Sequence, residues 1–146
     1  MAAGVRSACG VKVFASPDGR EETVIRYEPE QRQLVIDFGK SSISGPVCVP
    51  VFNSEAYDPA KPLIDQFTKR VSEQRAPLIL ERGETLKLDI FLDRSLIEVF
   101  ANGRQAVTQV VYPELESSTV VKIFSENATV SVKNIQSWTM AGTNAY

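Results

Sequence analysis

Apolar and polar residues alternate with a period of two along most of this chain, a pattern typical of β-strands that bury one face. The clearest run spans residues 86–92, where leucine or isoleucine occupies every even position. Clusters of Gly, Pro, Asn and Asp separate the alternating segments and indicate turns. The pattern predicts short strands over residues 10–15, 22–27, 33–38, 76–80, 86–92, 97–101, 105–112, 119–124, 129–133 and 135–140.

Many short strands joined by closely spaced turns are typical of an all-β fold. We therefore expect a single domain over residues 1–146, folded as a two-sheet antiparallel β-sandwich. A chain of 146 residues, 43% of them hydrophobic, is large enough to bury a core between two sheets.

Two segments depart from the alternating pattern. Residues 46–52 are apolar but contain two prolines, so they predict an edge strand or a draped loop. Residues 62–74 predict one short helix, because Pro62 suits a first helical position and apolar residues follow it at helical spacing. Those apolar residues are Leu63, Ile64, Phe67 and Val71.

The hairpins in the middle of the chain can be given a register. If Asp93 and Arg94 alone form the first loop, Ile90 lies opposite Ile97, and all aliphatic residues of the hairpin fall on one face. The next reversal is formed by Asn102 and Gly103, two residue types that tolerate the positive φ of a tight turn.

This register predicts that Asp89 lies directly opposite Glu98, with Cβ atoms about 5 Å apart. A retaining glycosidase uses two carboxyl groups at about that separation. A solvated pair on a flat sheet face is the preferred interpretation, because Asp and Glu are usually exposed and Lys87 and Arg104 are close enough in sequence to neutralise them.

Composition excludes several classes of function. Sixteen basic and eighteen acidic residues give a net charge of −2, which argues against a nucleic-acid partner. Histidine is absent and the only two cysteines are far apart, so we expect no metal site and no cofactor. No apolar run is long enough for a membrane span and no signal peptide is visible, which favours a cytoplasmic location.

The run from Phe91 to Gly103 (FLDRSLIEVFANG) resembles the signature strand pair of the C-terminal β-sandwich of glycoside hydrolase family 32. The later Thr108-Gln109 and Val111-Tyr112-Pro113 continue the resemblance, as do the early Ser16-Pro17-Asp18-Gly19 and the late run over residues 130–138. The family contains invertases, levanases and inulinases, so the resemblance implies a parent activity of hydrolysis or transfer at β-fructofuranosidic bonds.

In that family, catalysis belongs to a five-bladed propeller with Asn-Asp-Pro-Asn-Gly, Arg-Asp-Pro and Glu-Cys motifs, and none of these motifs occurs here. The resemblance therefore implies a non-catalytic module that packs on a propeller, stabilises it or mediates oligomers. We expect no enzymatic activity from the chain on its own. Two alternatives remain: a carbohydrate-binding module with an aromatic strip of Phe14, Phe91 and Phe100, and a small glycosidase using Asp89 and Glu98.

The expected partners are a catalytic propeller domain or a second copy of the chain, most simply in a homodimer, and a fructan or other sugar in the binding alternative. In the family another strand precedes the one matching residues 10–15, whereas only small and polar residues stand there in this sequence. If that strand is missing, a neighbour in the sheet has an open edge, and we expect association through this edge or, alternatively, through the apolar seam made for the absent propeller. Trp138 is expected to anchor the core or the seam between domains.

Overall fold

The computed structural model describes residues 7–50, 58–62 and 68–141. Every regular element within these ranges is a β-strand, and every strand pairing is antiparallel. The strands are β1 (Ala8–Ala15), β2 (Glu22–Glu28), β3 (Gln33–Lys40), β4 (Cys48–Pro50), β5 (Thr68–Arg70), β6 (Glu73–Pro77), β7 (Leu88–Asp93), β8 (Leu96–Ala101), β9 (Gln105–Val110) and β10 (Val120–Glu126).

The strands form a five-stranded sheet in the order β10-β1-β2-β3-β6 and a three-stranded sheet in the order β7-β8-β9, with β4 and β5 as a separate two-stranded ribbon. Alternate residues of both main sheets enter a single hydrophobic cluster, which includes Ile25, Ile36 and Phe38 from one sheet and Ile97 and Val99 from the other. The predicted all-β sandwich is therefore confirmed.

The helix predicted for residues 62–74 is wrong wherever that segment is described. Residues 68–70 form β5, which pairs with β4, and Glu73 already begins β6, three residues before the strand start predicted at Ala76. Ladder hydrogen bonds to distant strands override a local spacing of apolar residues. Residues 63–67 lie outside the described part.

The register predicted for the β7–β8 hairpin is also wrong, by two residues. Asp93 pairs with Leu96, so the loop consists of Arg94 and Ser95, with Arg94 at φ 52°. A shift of two keeps each side chain on its predicted face. Accordingly Ile97 and Val99 are fully buried, as expected.

The next turn is confirmed, since Asn102 and Gly103 adopt φ of 52° and 64°. The Asn102 side chain also holds this turn against a neighbouring segment of the chain. The Asn102 side chain donates hydrogen bonds to Glu84 and to the carbonyl of Thr85, and accepts one from the amide of Lys87. This polar contact fixes the β8–β9 turn to the segment that leads into β7.

Residues 129–141 form no strand, contrary to the two strands predicted there, and all of them are exposed. Trp138 is 77% exposed, so it does not anchor the core of the sandwich. Alternation shows which residues suit a strand, but a strand also needs a neighbour for its ladder. Near this segment's start, Lys133 Nζ donates a 2.8 Å hydrogen bond to Thr85 Oγ1.

Strand β1 is paired on both sides, with β10 and with β2, so an open edge left by a missing strand does not lie at β1. The described edges of the five-stranded sheet are β10 and β6, and β9 of the second sheet lies against β6. The three-stranded sheet thus covers the β6 side. On the inward side of β10, Val121 and Ile123 remain 60% and 46% exposed.

Candidate functional site

The outer face of the three-stranded sheet carries two of the three aromatic residues singled out in the sequence. Phe91 and Phe100 contact each other edge to face, with ring centroids 5.8 Å apart and an interplanar angle of 87°. They are 41% and 39% exposed, although the opposite face of the same strands packs the core. Leu96 pairs with Val110 on this face, and Phe100 pairs with Ala106, which widens the apolar surface.

Phe14 does not join this pair. It lies in the five-stranded sheet, where the β1–β10 register shifts between Lys12 and Ala15, and it has φ of 46°. Its ring packs against the hydrophobic core. A β-bulge interrupts the alternation of side chains, and this is why period-2 reasoning placed Phe14 on the outer face.

The carboxylates considered for catalysis are not directly opposed. Asp89 lies opposite Phe100, and Glu98 lies opposite Phe91. Asp89 accepts a 2.8 Å hydrogen bond from Lys87 Nζ, as expected of a solvated ion pair. The direct cross-strand geometry that suggested glycosidase chemistry is therefore a wrong prediction, and its cause is the two-residue register error.

The outer face of the five-stranded sheet is instead occupied by an ionic network centred on Arg26. Its guanidinium donates to Glu28, Asp37 and Glu73 over distances of 2.8, 3.1 and 2.8 Å. Arg75 bridges two of these carboxylates, Glu28 and Glu73. The network thus joins β2, β3 and β6 across the sheet. Sequence reasoning missed it because Arg26 and Glu73 are 47 residues apart.

The network changes the acidity of its members. Burial raises the pKa of the Glu28 carboxyl, but hydrogen bonds from Arg26 and Gln33, with the nearby positive charges, outweigh burial and lower the pKa below its usual value. Glu73 shows the same balance, with burial opposed by Arg26 and Arg75. The carboxylates in turn raise the pKa of Arg26 despite its burial. All of these groups stay charged near neutral pH.

A second polar cluster that the sequence did not reveal is centred on Glu21, whose side chain is fully buried. Its carboxylate accepts hydrogen bonds from the amides of Ile43, Glu114 and Leu115 and from Ser118 Oγ. Burial raises the pKa of Glu21, but these four hydrogen bonds prevail and the pKa is lowered. Glu21 therefore fixes two distant loops to the start of β2.

The loops are joined reciprocally by Glu114, whose carboxylate accepts hydrogen bonds from the hydroxyls of Ser42 and Ser44 and from the Ser44 amide. These contacts lower the pKa of Glu114. Since Glu114 also donates its own amide to Glu21, the two acids form one continuous connection between the loops.

Within the described ranges, no three His, Cys, Asp or Glu side chains are grouped so that they could hold a metal ion. Cys9 and Cys48 are both free thiols. None of the described segments is a helix of the length and apolar character needed to cross a membrane.

Comparison with known proteins decides the family. The profile described as "Glycosyl hydrolases family 32 C terminal" matches residues 3–139, which is nearly the whole chain. The chain belongs to this family. The resemblance noted from the motif around Phe91 is thus confirmed for the full length of the sandwich.

The relatives of this family 32 C-terminal domain are much longer than it is. A levanase of Bacillus subtilis is 39% identical over 114 residues, which cover 77% of this chain and 14% of the levanase. The exo-inulinase of Aspergillus awamori superposes with a TM-score of 0.59 at 20% identity, covering 86% of this chain and 20% of the inulinase. The β-fructofuranosidase of Aspergillus kawachii superposes with a TM-score of 0.57 at 22% identity, covering 82% of this chain and 18% of the β-fructofuranosidase. The two structural matches establish the shared fold.

Proposed function

We propose that this family 32 C-terminal domain is a non-catalytic packing module, and that the outer face of its three-stranded sheet docks on the catalytic propeller of a β-fructosidase-type enzyme. The parent activity would be hydrolysis or transfer at β-fructofuranosidic bonds. The relatives support this proposal. The region that matches this chain is 14% of the levanase, so the levanase is about seven times longer than the matched region.

The observation that carries the proposal is the exposed Phe91–Phe100 pair. Aromatic residues contribute large apolar areas to interfaces and are enriched at their centres. The sheet that bears them buries its other face in the core, so these rings are not needed for the sandwich itself. Glu98 and Thr108 lie beside them and would form part of a polar surround.

A chimaeric levanase tests the docking face. The region of the Bacillus subtilis levanase that matches this chain is replaced by the chain, and thermal unfolding of the propeller is followed by loss of levan hydrolysis. We expect the double substitution Phe91→Ser and Phe100→Ser to lower the inactivation temperature by several degrees, because about 1–2 kcal/mol of interface packing is lost.

The matched control is Phe124→Ser, which removes a partly exposed ring from the other sheet. It should leave the inactivation temperature of the chimaera unchanged. If Phe124→Ser had the larger effect, the docking face would be the five-stranded sheet and the proposal would be wrong.

The non-catalytic part of the proposal has its own assay. The chain is incubated at high concentration with sucrose, inulin and levan, and no release of fructose is expected. Release of fructose that disappears in Glu98→Gln would contradict the proposal directly.

In the absence of a propeller, we propose that the same aromatic face supports a two-fold homodimer, since a self-complementary apolar face suits closed symmetry. Sedimentation of the chain over a concentration series should then show dimers. The Phe91→Ser, Phe100→Ser variant should be monomeric at the same concentrations. Dimers that persist in this variant would place the contact elsewhere.

A further inference from the structure

The outer face of the five-stranded sheet contains a hollow of about 500 Å³ that the packing function does not use. Along β1 the hollow is lined by Ala8 and Lys12, which stand on either side of the buried Gly10. On one side Phe124 stands opposite Gly10, and on the other side Arg26 does. We call this hollow the β1 trough.

The width of the β1 trough follows from Gly10. A Cβ atom at this position would lie 1.9 Å from the carbonyl oxygen of Ile25, so no side chain can stand there. The Cα atoms of Phe124 and Arg26 are therefore separated by two strand spacings, about 10 Å, and no side chain of Gly10 stands between them. Lys12 Nζ lies 5.6 Å from the centroid of the Phe124 ring, so the ammonium group borders this gap on the aromatic side. A gap of this width admits a monosaccharide ring between an aromatic wall and a hydrogen-bonding wall.

The polar wall is held in place before any ligand arrives. Arg26 is fixed by three carboxylates, and N–H groups of its guanidinium remain beyond those three bonds. Lys12 closes one end of the trough, where both oxygens of Glu22 accept hydrogen bonds from its Nζ at 3.0 Å. Side chains positioned by one another lose little entropy when they bind a ligand.

The lining defines the chemistry of the ligand. Carboxylates outnumber basic groups by five to three, which disfavours phosphates and other anions. Nearly every charge already has a partner, which disfavours a strongly charged ligand of either sign. Fixed donors and acceptors beside one aromatic ring suit a neutral ligand whose hydroxyls both donate and accept. The volume lies within the usual range of about 300–1,000 Å³ for small-molecule sites.

We infer that the β1 trough is a binding site for a neutral saccharide, with Phe124 contacting the apolar side of a sugar ring and Arg26, Lys12 and Glu22 binding its hydroxyls. The site is on the opposite side of the sandwich from Phe91 and Phe100. Saccharide binding and domain docking are thus separate proposals, and an experiment can contradict one without contradicting the other.

The test is a titration of the ¹⁵N-labelled chain, followed by the amide signals of Ala8, Gly10 and Phe124. The probes are sucrose, inulin and levan, with maltose as a saccharide without fructose and glycerol as a small polyol. We expect saturable shifts at these amides with at least one saccharide, and none that saturate with glycerol. Saturation by glycerol as well would mean an unspecific polyol pocket and overturn the inference.

Three variants locate the site, each checked for an unchanged melting temperature. Phe124→Ala should weaken binding roughly three- to tenfold through loss of the ring contact. Ala8→Leu should abolish it by filling the floor. The matched control Phe100→Ala should leave it unchanged. If Ala8→Leu does not fold, Lys12→Met replaces it, with weaker binding expected.

Several results would overturn the inference. One is the absence of saturable shifts with every saccharide, and another is saccharide binding that Phe124→Ala leaves intact but Phe100→Ala removes. A third is a change of the Ala8, Gly10 and Phe124 signals with protein concentration alone, which would assign the trough to protein–protein contact.

Discussion

The two outer faces of this sandwich differ in whether their side chains have bonding partners within the domain. On the five-stranded sheet, Arg26 and its carboxylates are bonded to one another in one ionic network. On the three-stranded sheet, Phe91 and Phe100 touch each other but remain about two-fifths exposed. The charged face is organised within the domain, whereas the aromatic face gains more by being covered.

The comparison explains why an exposed apolar pair is better evidence of docking than a set of charges. Ion pairs at a surface contribute little when another protein covers them, because their desolvation offsets the attraction between them. Exposed rings gain free energy in proportion to the area removed from water. This difference is the reason why we propose docking at the aromatic face and a small polar ligand at the charged face.

The largest effect is expected beneath the aromatic face, at the fully buried Ile97. Ile97→Ala should lower the free energy of unfolding by about 2–5 kcal/mol in urea titrations, through lost burial and a cavity. On the same strand but facing outward, Glu98→Ala should stay within about 0.5 kcal/mol of wild type. The reverse order would mean that the inner and outer faces of this sheet have been exchanged.

A comparable effect is expected in the charged network. Arg26→Ala leaves Glu28, whose side chain is only 7% exposed, without its closest cation. We expect a loss of about 3 kcal/mol, measured by urea titration. The control is Arg20→Ala, since Arg20 is 64% exposed and pairs with Asp18 at a turn. Equal losses in both variants would show that the network contributes no more than a surface ion pair.

The dependence of folding stability on pH should distinguish the charged face from the aromatic face. The pKa values of Glu28 and Glu73 are lower in the folded state than their ordinary value of 4.5. Their stabilisation is therefore fully present above about pH 4.5 and is lost as the pH falls through the folded-state pKa values. Melting temperatures from pH 7 to pH 3 should fall less steeply for Glu28→Gln than for wild type. Parallel curves would contradict this assignment.

The smallest effect is expected at the C-terminal segment. Trp138→Ala should change stability by less than about 0.5 kcal/mol, because the side chain is 77% exposed. As Trp138 is the only tryptophan, its fluorescence reports on this segment alone. Emission typical of a solvated indole and full quenching by acrylamide are expected. A blue-shifted, protected signal would mean that the segment covers Val121 and Ile123 and extends the smaller sheet.

Part of the candidate site was predictable. The shared face of Phe91 and Phe100 follows from the alternation of side chains in β7 and β8, and a register error of two residues leaves it unchanged. Phe14 was misplaced because a bulge at positive φ has no clear sign in the sequence around it. Arg26 and Glu21 were missed because their partners are distant in the chain, up to 97 residues away for Glu21 and Ser118.

The sequence by itself determined the all-β class, most strand positions and the turn at Asn102 and Gly103, since period-2 alternation and turn residues act locally. The family was indicated separately, by the resemblance of the run from Phe91 to Gly103 to a known motif. Only the tertiary structure decided strand order, the β7–β8 register, the strand in place of a predicted helix at 68–70, and the unpaired segment 129–141. These features depend on which backbone N–H and C=O groups pair with each other. A hydrogen bond between strands can join residues that are far apart in the chain, and a local sequence pattern does not specify which residues those are.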